Sequence, residues 1–73
     1  MREVIIEALK KHAEGHIEKH RANIEVLLEK TASIAEHPDT LETIEKEFAI
    51  IAEYVDLLEM LNKYFIKKDP FKQ

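Results

Sequence analysis

The sequence predicts an all-α protein: an antiparallel two-helix hairpin that assembles with copies of itself into a helical bundle, a four-helix bundle if two copies meet. Three observations point there. Apolar residues recur every three to four positions along two long stretches, the period of a helix with one apolar face. A single break, Glu36-His37-Pro38-Asp39-Thr40, separates the stretches. The chain has 73 residues with one glycine and two prolines, and is 45% hydrophobic and 36% charged, the balance of strongly amphipathic helices.

The first helix is expected from about residue 3 to about residue 35. Glu3 and Glu7 suit its positive end. Its apolar face carries Ile5, Leu9, Ala13, Ile17, Ile24, Leu27 and Ile34, while Glu7, Glu14, Glu18, Glu25 and Glu29 fall on the other side. Gly15 is the internal weak point, costing about 1 kcal/mol relative to alanine. The turn is expected at 36–39: Pro38 pushes His37 out of the helical region and then suits the start of a new helix. Asp39 with Glu42 resembles a capping box with aspartate in the first place.

The second helix is expected from about 39 to about 67, followed by a short tail over 68–73, the whole forming one domain over 1–73. Lys67 and Lys68 favour its negative end, and Asp69-Pro70 stops it. Two seams run along it. Leu41, Ile44, Phe48, Ile51, Val55, Leu58, Asn62 and Phe65 keep a heptad spacing, and Ile50, Tyr54, Leu57, Leu61 and Tyr64 form a second row beside it. One hairpin partner covers one seam, so the apolar members of both rows are the expected oligomer interface. A hairpin this small is marginal alone, which makes self-association the expected state. Phe71 is a candidate to dock on a neighbour or to fray with the tail.

Charge narrows the partners. With 11 Lys and Arg against 15 Asp and Glu, the chain carries −4 and repels a polyanion, so duplex nucleic acid is not an expected partner. Between Asp39 and Glu59 lie seven acids and one lysine. No apolar run approaches the ~18 residues of a membrane span, no signal-peptide pattern opens the chain, and cysteine is absent. A cytoplasmic protein, without disulfides or thiolate metal sites, is the expectation.

His12, His16 and His20 break the plain amphipathic pattern. Four residues apart in KHAEGHIEKH, they form a slanted row on the apolar face, and Asn23 continues it. Three readings compete. The histidines can be polar layers of a bundle that fix register and oligomer number. With Asn23 and Lys19, and Lys10, Lys11 and Arg21 nearby, they can line a pocket for a phosphate or nucleotide; each of those cations is equally suited to pair with a neighbouring glutamate. Or one i, i+4 histidine pair binds a divalent transition metal such as zinc, a further ligand coming from a symmetry mate or from the facing helix. Register counting from a turn near His37 sets residues 54–62 opposite His16, with Tyr54, Glu59 and Asn62 in reach and Glu59 the best ligand type.

Enzyme motifs fail. His12-Ala13-Glu14-Gly15-His16 lacks the glutamate directly after the first histidine that a metalloprotease needs. Leu9, Ala13 and Ile17 stand where di-iron bundles place glutamate, three residues before each histidine. No nucleophile setting and no glycine-rich phosphate loop is present, so catalysis and a resident cofactor are not expected.

Two stretches, EALKKHAEGHIEKH over 7–20 and EHPDTLETIEKE over 36–47, resemble small helical proteins encoded by large tailed bacteriophages, particularly marine ones, over most of the chain to about Phe65. That family carries no assigned activity and supplies no functional residues. The resemblance implies a context: a protein acting in the cytoplasm of an infected bacterium, or packed into a virion. Small phage proteins of this size block a host component or sequester a signalling nucleotide. The expected function is therefore a non-enzymatic, self-assembling helical protein acting by binding, directed at a host component. The alternatives are an oligomer sequestering a small anion in a His/Lys/Arg-lined pocket, and a metal-binding bundle.

Overall fold

The structure is a computed structural model that describes residues 1–29 and 39–66. Among them are two helices, α1 (Arg2–Glu29) and α2 (Asp39–Tyr64), and no strand. Of the expected turn at 36–39, residues 36–38 lie outside the described residues, as do the tail over 68–73, Ile34 and Phe71.

The helix ends follow from local chemistry. The Ile5 amide donates to the Met1 carbonyl at 3.1 Å, closing the first turn of α1. Asp39 and Glu42 stand in the first turn of α2, where the peptide dipoles favour negative charge. Thr43 there turns its hydroxyl back onto the Asp39 carbonyl at 2.9 Å. At the other end the amides of Phe65 and Ile66 both donate to the Leu61 carbonyl at 3.0 Å. Arg2 reaches across from α1 and donates to the Phe65 carbonyl at 2.7 Å, satisfying a group that a helix end leaves without an intrahelical partner.

α1 and α2 pack antiparallel along one another. Arg2 pairs with Phe65 and His20 with Glu47, and both pairs are centred between positions 33 and 34. The register is therefore shifted by several residues from one counted about His37. In α1 the inward seam runs Ile6, Lys10, Ala13, Ile17, His20, Ile24 and Leu27, with Glu14, His16 and Asn23 half-buried at its sides. In α2 the seam runs Thr40, Ile44, Glu47, Ile51, Tyr54, Leu58 and Leu61, with Ile50 beside it. Both sets keep the alternating three-four spacing of facing helices.

The inward seam of α2 thus differs from the most apolar frame. It shares Ile44, Ile51 and Leu58 with that frame, but takes Glu47, Tyr54 and Leu61 in place of Phe48, Val55 and Asn62. The reason lies on α1. His16, His20 and Asn23 project from the opposing surface; the Glu47 carboxylate satisfies His20 and Asn23, and the Tyr54 ring stacks on His16, where phenylalanine and valine would leave the polar pair without an acceptor. Of the residues expected at an oligomer interface, Ile44, Ile51, Tyr54, Leu58 and Leu61 are turned inward within the hairpin. Phe48, Val55, Leu57, Tyr64 and Phe65 are exposed.

Candidate functional site

The site is the polar cluster at the middle of the hairpin. Successive histidines rise about 6 Å along α1 and stay on one side of it. The His12 and His16 rings stand 4.4 Å apart at 60°. The His16 and His20 rings are 6.0 Å apart and nearly parallel, at 16°. From α2, Tyr54 lays its ring on that of His16 at 4.6 Å and 9°, and meets His12 edge-on at 6.0 Å.

His20 is the tethered member. Its Nδ1 bonds to Glu47 Oε2, and the other oxygen, Oε1, accepts from Asn23 Nδ2 at 3.2 Å. Both carboxylate oxygens are engaged, and the side chains of His20 and Glu47 are only 13% and 16% exposed. A carboxylate so placed fixes the ring orientation of a histidine and leaves Nε2 for a further partner.

His16 is different. Its Nδ1 is buried with no hydrogen-bond partner. Desolvation, followed by the neighbouring His12, Lys19 and His20, holds its pKa below the usual 6.5. The cost of charging it favours a neutral ring.

The surrounding cations divide. Lys11 pairs with Glu7 at 3.8 Å and Glu14 at 3.9 Å, and Arg21 pairs with Glu18 at 3.4 Å. These are exposed i, i+3 and i, i+4 contacts, worth a few tenths of a kcal/mol. Lys19 borders a shallow depression of about 330 Å³ with Lys11, His12, Gly15 and His16. A Cβ at Gly15 would meet nothing within 4 Å, and its φ is not positive, so neither turn geometry nor a contact within the chain requires glycine there.

The structure brings His12, His16, His20, Asn23 and Tyr54 together and adds Glu47. Glu59 stands elsewhere, at the outer surface beside Asp56, Met60, Lys63 and Tyr64, and Asn62 is exposed. Among the described residues no group of three or more His, Cys, Asp or Glu has the geometry of a metal site, and no helix is long and apolar enough to cross a membrane. Glu47 had one sequence signal: it is a glutamate at the spacing of Ile44, Ile51, Tyr54 and Leu58, opposite a row rich in imidazole.

No protein-family model, curated protein or solved structure matches this chain.

Proposed function

We propose that this chain is a non-enzymatic helical hairpin that assembles with copies of itself and acts by binding. One observation carries the reading. Among the described residues only Ala13, Ile24 and Leu61 form a buried apolar core, whereas thirteen large apolar side chains are exposed, Phe48 at 57% and Ile5 and Phe65 at 53% among them. A chain this small with so little buried apolar surface is marginal alone. Apolar rows on two helices suit a second hairpin, which gives a four-helix bundle. In the context that the phage resemblance implies, the assembled protein meets a host component through the apolar stripe it leaves open.

A second reading has its own observation. The depression at Lys11, His12, Gly15, His16 and Lys19 is lined by two lysines and two histidines, with Lys11 also paired to Glu7 and Glu14, a lining suited to a small phosphate-bearing ligand. Native mass spectrometry, with and without a chelator, separates the readings. An assembly at a whole multiple of the chain mass supports self-association. Added mass that survives chelation supports ligand capture, and added mass lost to the chelator supports a metal on the histidine row. A monomer at bare mass at micromolar concentration overturns the proposal.

A further inference from the structure

The inward seam divides the rest of the hairpin into two flanks of opposite character. On α1, stripes lie roughly 100° to either side of the seam. One stripe runs Ile5, Leu9, His12, His16, Asn23 and Val26, with Lys19 interleaved, and carries no carboxylate. The other runs Val4, Glu7, Glu14, Glu18, Glu25 and Leu28, with Lys11 and Arg21 interleaved. In an antiparallel pair equivalent flanks of the two helices adjoin, so the row Ile50, Leu57 and Tyr64 of α2 extends the first flank and the row Leu41, Phe48 and Val55 extends the second. The contacts of His16 with Tyr54 and of Asn23 with Glu47 agree with this placement. α2 adds Asp39 and Glu42 to the histidine flank at its first turn and Glu53 beside the row, whereas Glu45 and Glu59 join the four glutamates of the other.

We infer that a second copy of this chain docks on the histidine flank, so that the histidine row of each protomer is covered by its partner. The inference rests on the self-assembly proposed above and names the surface that performs it. Both helices contribute exposed apolar residues to this flank, as they do to the other: Ile5 at 53%, Leu9 at 46% and Val26 at 53% on α1, and Leu57 at 37% and Tyr64 at 65% on α2. Two observations select it. On the opposite flank, the α1 stripe is dominated by glutamate. Two chains of −4 each repel, and the approach that costs least brings together the surfaces poorest in carboxylate; charged residues are depleted at interface cores for the same reason. Finally, the exposed His12 and the half-buried His16, with its unpartnered Nδ1, stand midway between the apolar ends Ile5 and Val26.

Assembly on this flank depends on protonation. The titratable groups that α2 turns toward the row are Glu47, already bonded to His20, and Tyr54, stacked on His16. Lys46 and Glu53 stand at the margin, and Lys19 lies on the row's own helix. Apart from Glu53 at the exposed margin, none supplies a second carboxylate beside a protonated His12 or His16. Neutral rings permit the contact; imidazolium on both copies beside two Lys19 opposes it.

The test uses the full chain, which has no cysteine, with one spin label introduced at a time through Lys46→Cys or Glu45→Cys. These adjacent positions of α2 point to opposite flanks. With native mass spectrometry reporting a dimer, electron–electron dipolar spectroscopy is expected to give the shorter inter-label distance for Lys46→Cys, by about one helix diameter of 10 Å. A dimer in which the two distances are equal, or Glu45→Cys gives the shorter one, overturns the assignment of the flank while leaving self-assembly standing. A monomer mass for the unlabelled chain overturns self-assembly itself. On acidification from pH 8 to pH 5 the dimer fraction is expected to fall at least tenfold; an unchanged fraction shows that the row is not covered.

Discussion

His20 and His16 are the same residue four positions apart on one helix face, and their surroundings differ in kind. His20 bonds to a carboxylate whose second oxygen is held by Asn23; His16 has an aromatic ring on its face and a buried nitrogen with nothing to bond. A tethered imidazole fixes register, because a slip of one residue along α2 would leave three polar groups without partners. An untethered one contributes little to the hairpin. Its place on the outward-facing flank is a reason to look for its role in assembly.

Replacing Glu47 strikes this contrast hardest. Glu47→Ala leaves His20 and Asn23 without the carboxylate they share and is expected to destabilise the folded chain by about 1–3 kcal/mol, read by chemical denaturation. The double change Glu47→Leu with His20→Leu removes the imidazole and the carboxylate together, leaves only Asn23 without its acceptor, and is expected to recover part of the loss. If the double variant is as unstable as the single one, the cost comes from packing and not from the unpaired imidazole.

At His16 the sign reverses. His16→Leu removes a buried nitrogen that has no partner and is expected to raise the melting temperature at neutral pH. The pH profile sharpens the point. The pKa of His16 is lower in the folded chain than the ordinary 6.5, so protonation favours the unfolded chain. Its contribution to stability is present above about 6.5 and is lost as pH falls through that value and then through the lower folded one. Thermal melts should show stability falling over that window in the native chain and a shallower fall in His16→Leu. Parallel profiles would show that His16 titrates alike in both states.

The smaller effects lie at the edges of the site. Gly15→Ala is expected to stabilise by roughly 0.5–1 kcal/mol, since the added methyl group meets nothing. A loss of assembly in a stabilised Gly15→Ala chain would instead mark Gly15 as a point of close approach between copies. Arg21→Ala, which breaks only an exposed contact with Glu18, should change stability by no more than about 0.5 kcal/mol.

Much of this arrangement was legible in the chain. The apolar period and the break at Pro38 foretold two helices, and the four-residue spacing put the histidines on one side with Tyr54 opposite. Glu47 was hidden by the overlap of two heptad frames that share Ile44, Ile51 and Leu58. Hydrophobicity alone favours the frame with Phe48 and Val55, but the imidazoles and amide on α1 favour the frame with Glu47 and Tyr54. That choice is made between helices, so neither helix read by itself reveals it. Glu59 was misplaced by counting register from His37, when the observed pairs centre near position 34.

Self-assembly through the apolar surface that one hairpin leaves exposed is tested most directly by sedimentation equilibrium of the full chain at pH 8 over a range of micromolar concentrations. A mass of at least two chains at all but the lowest concentrations is expected, with folding and association lost together on dilution. A folded monomer throughout that range would contradict it.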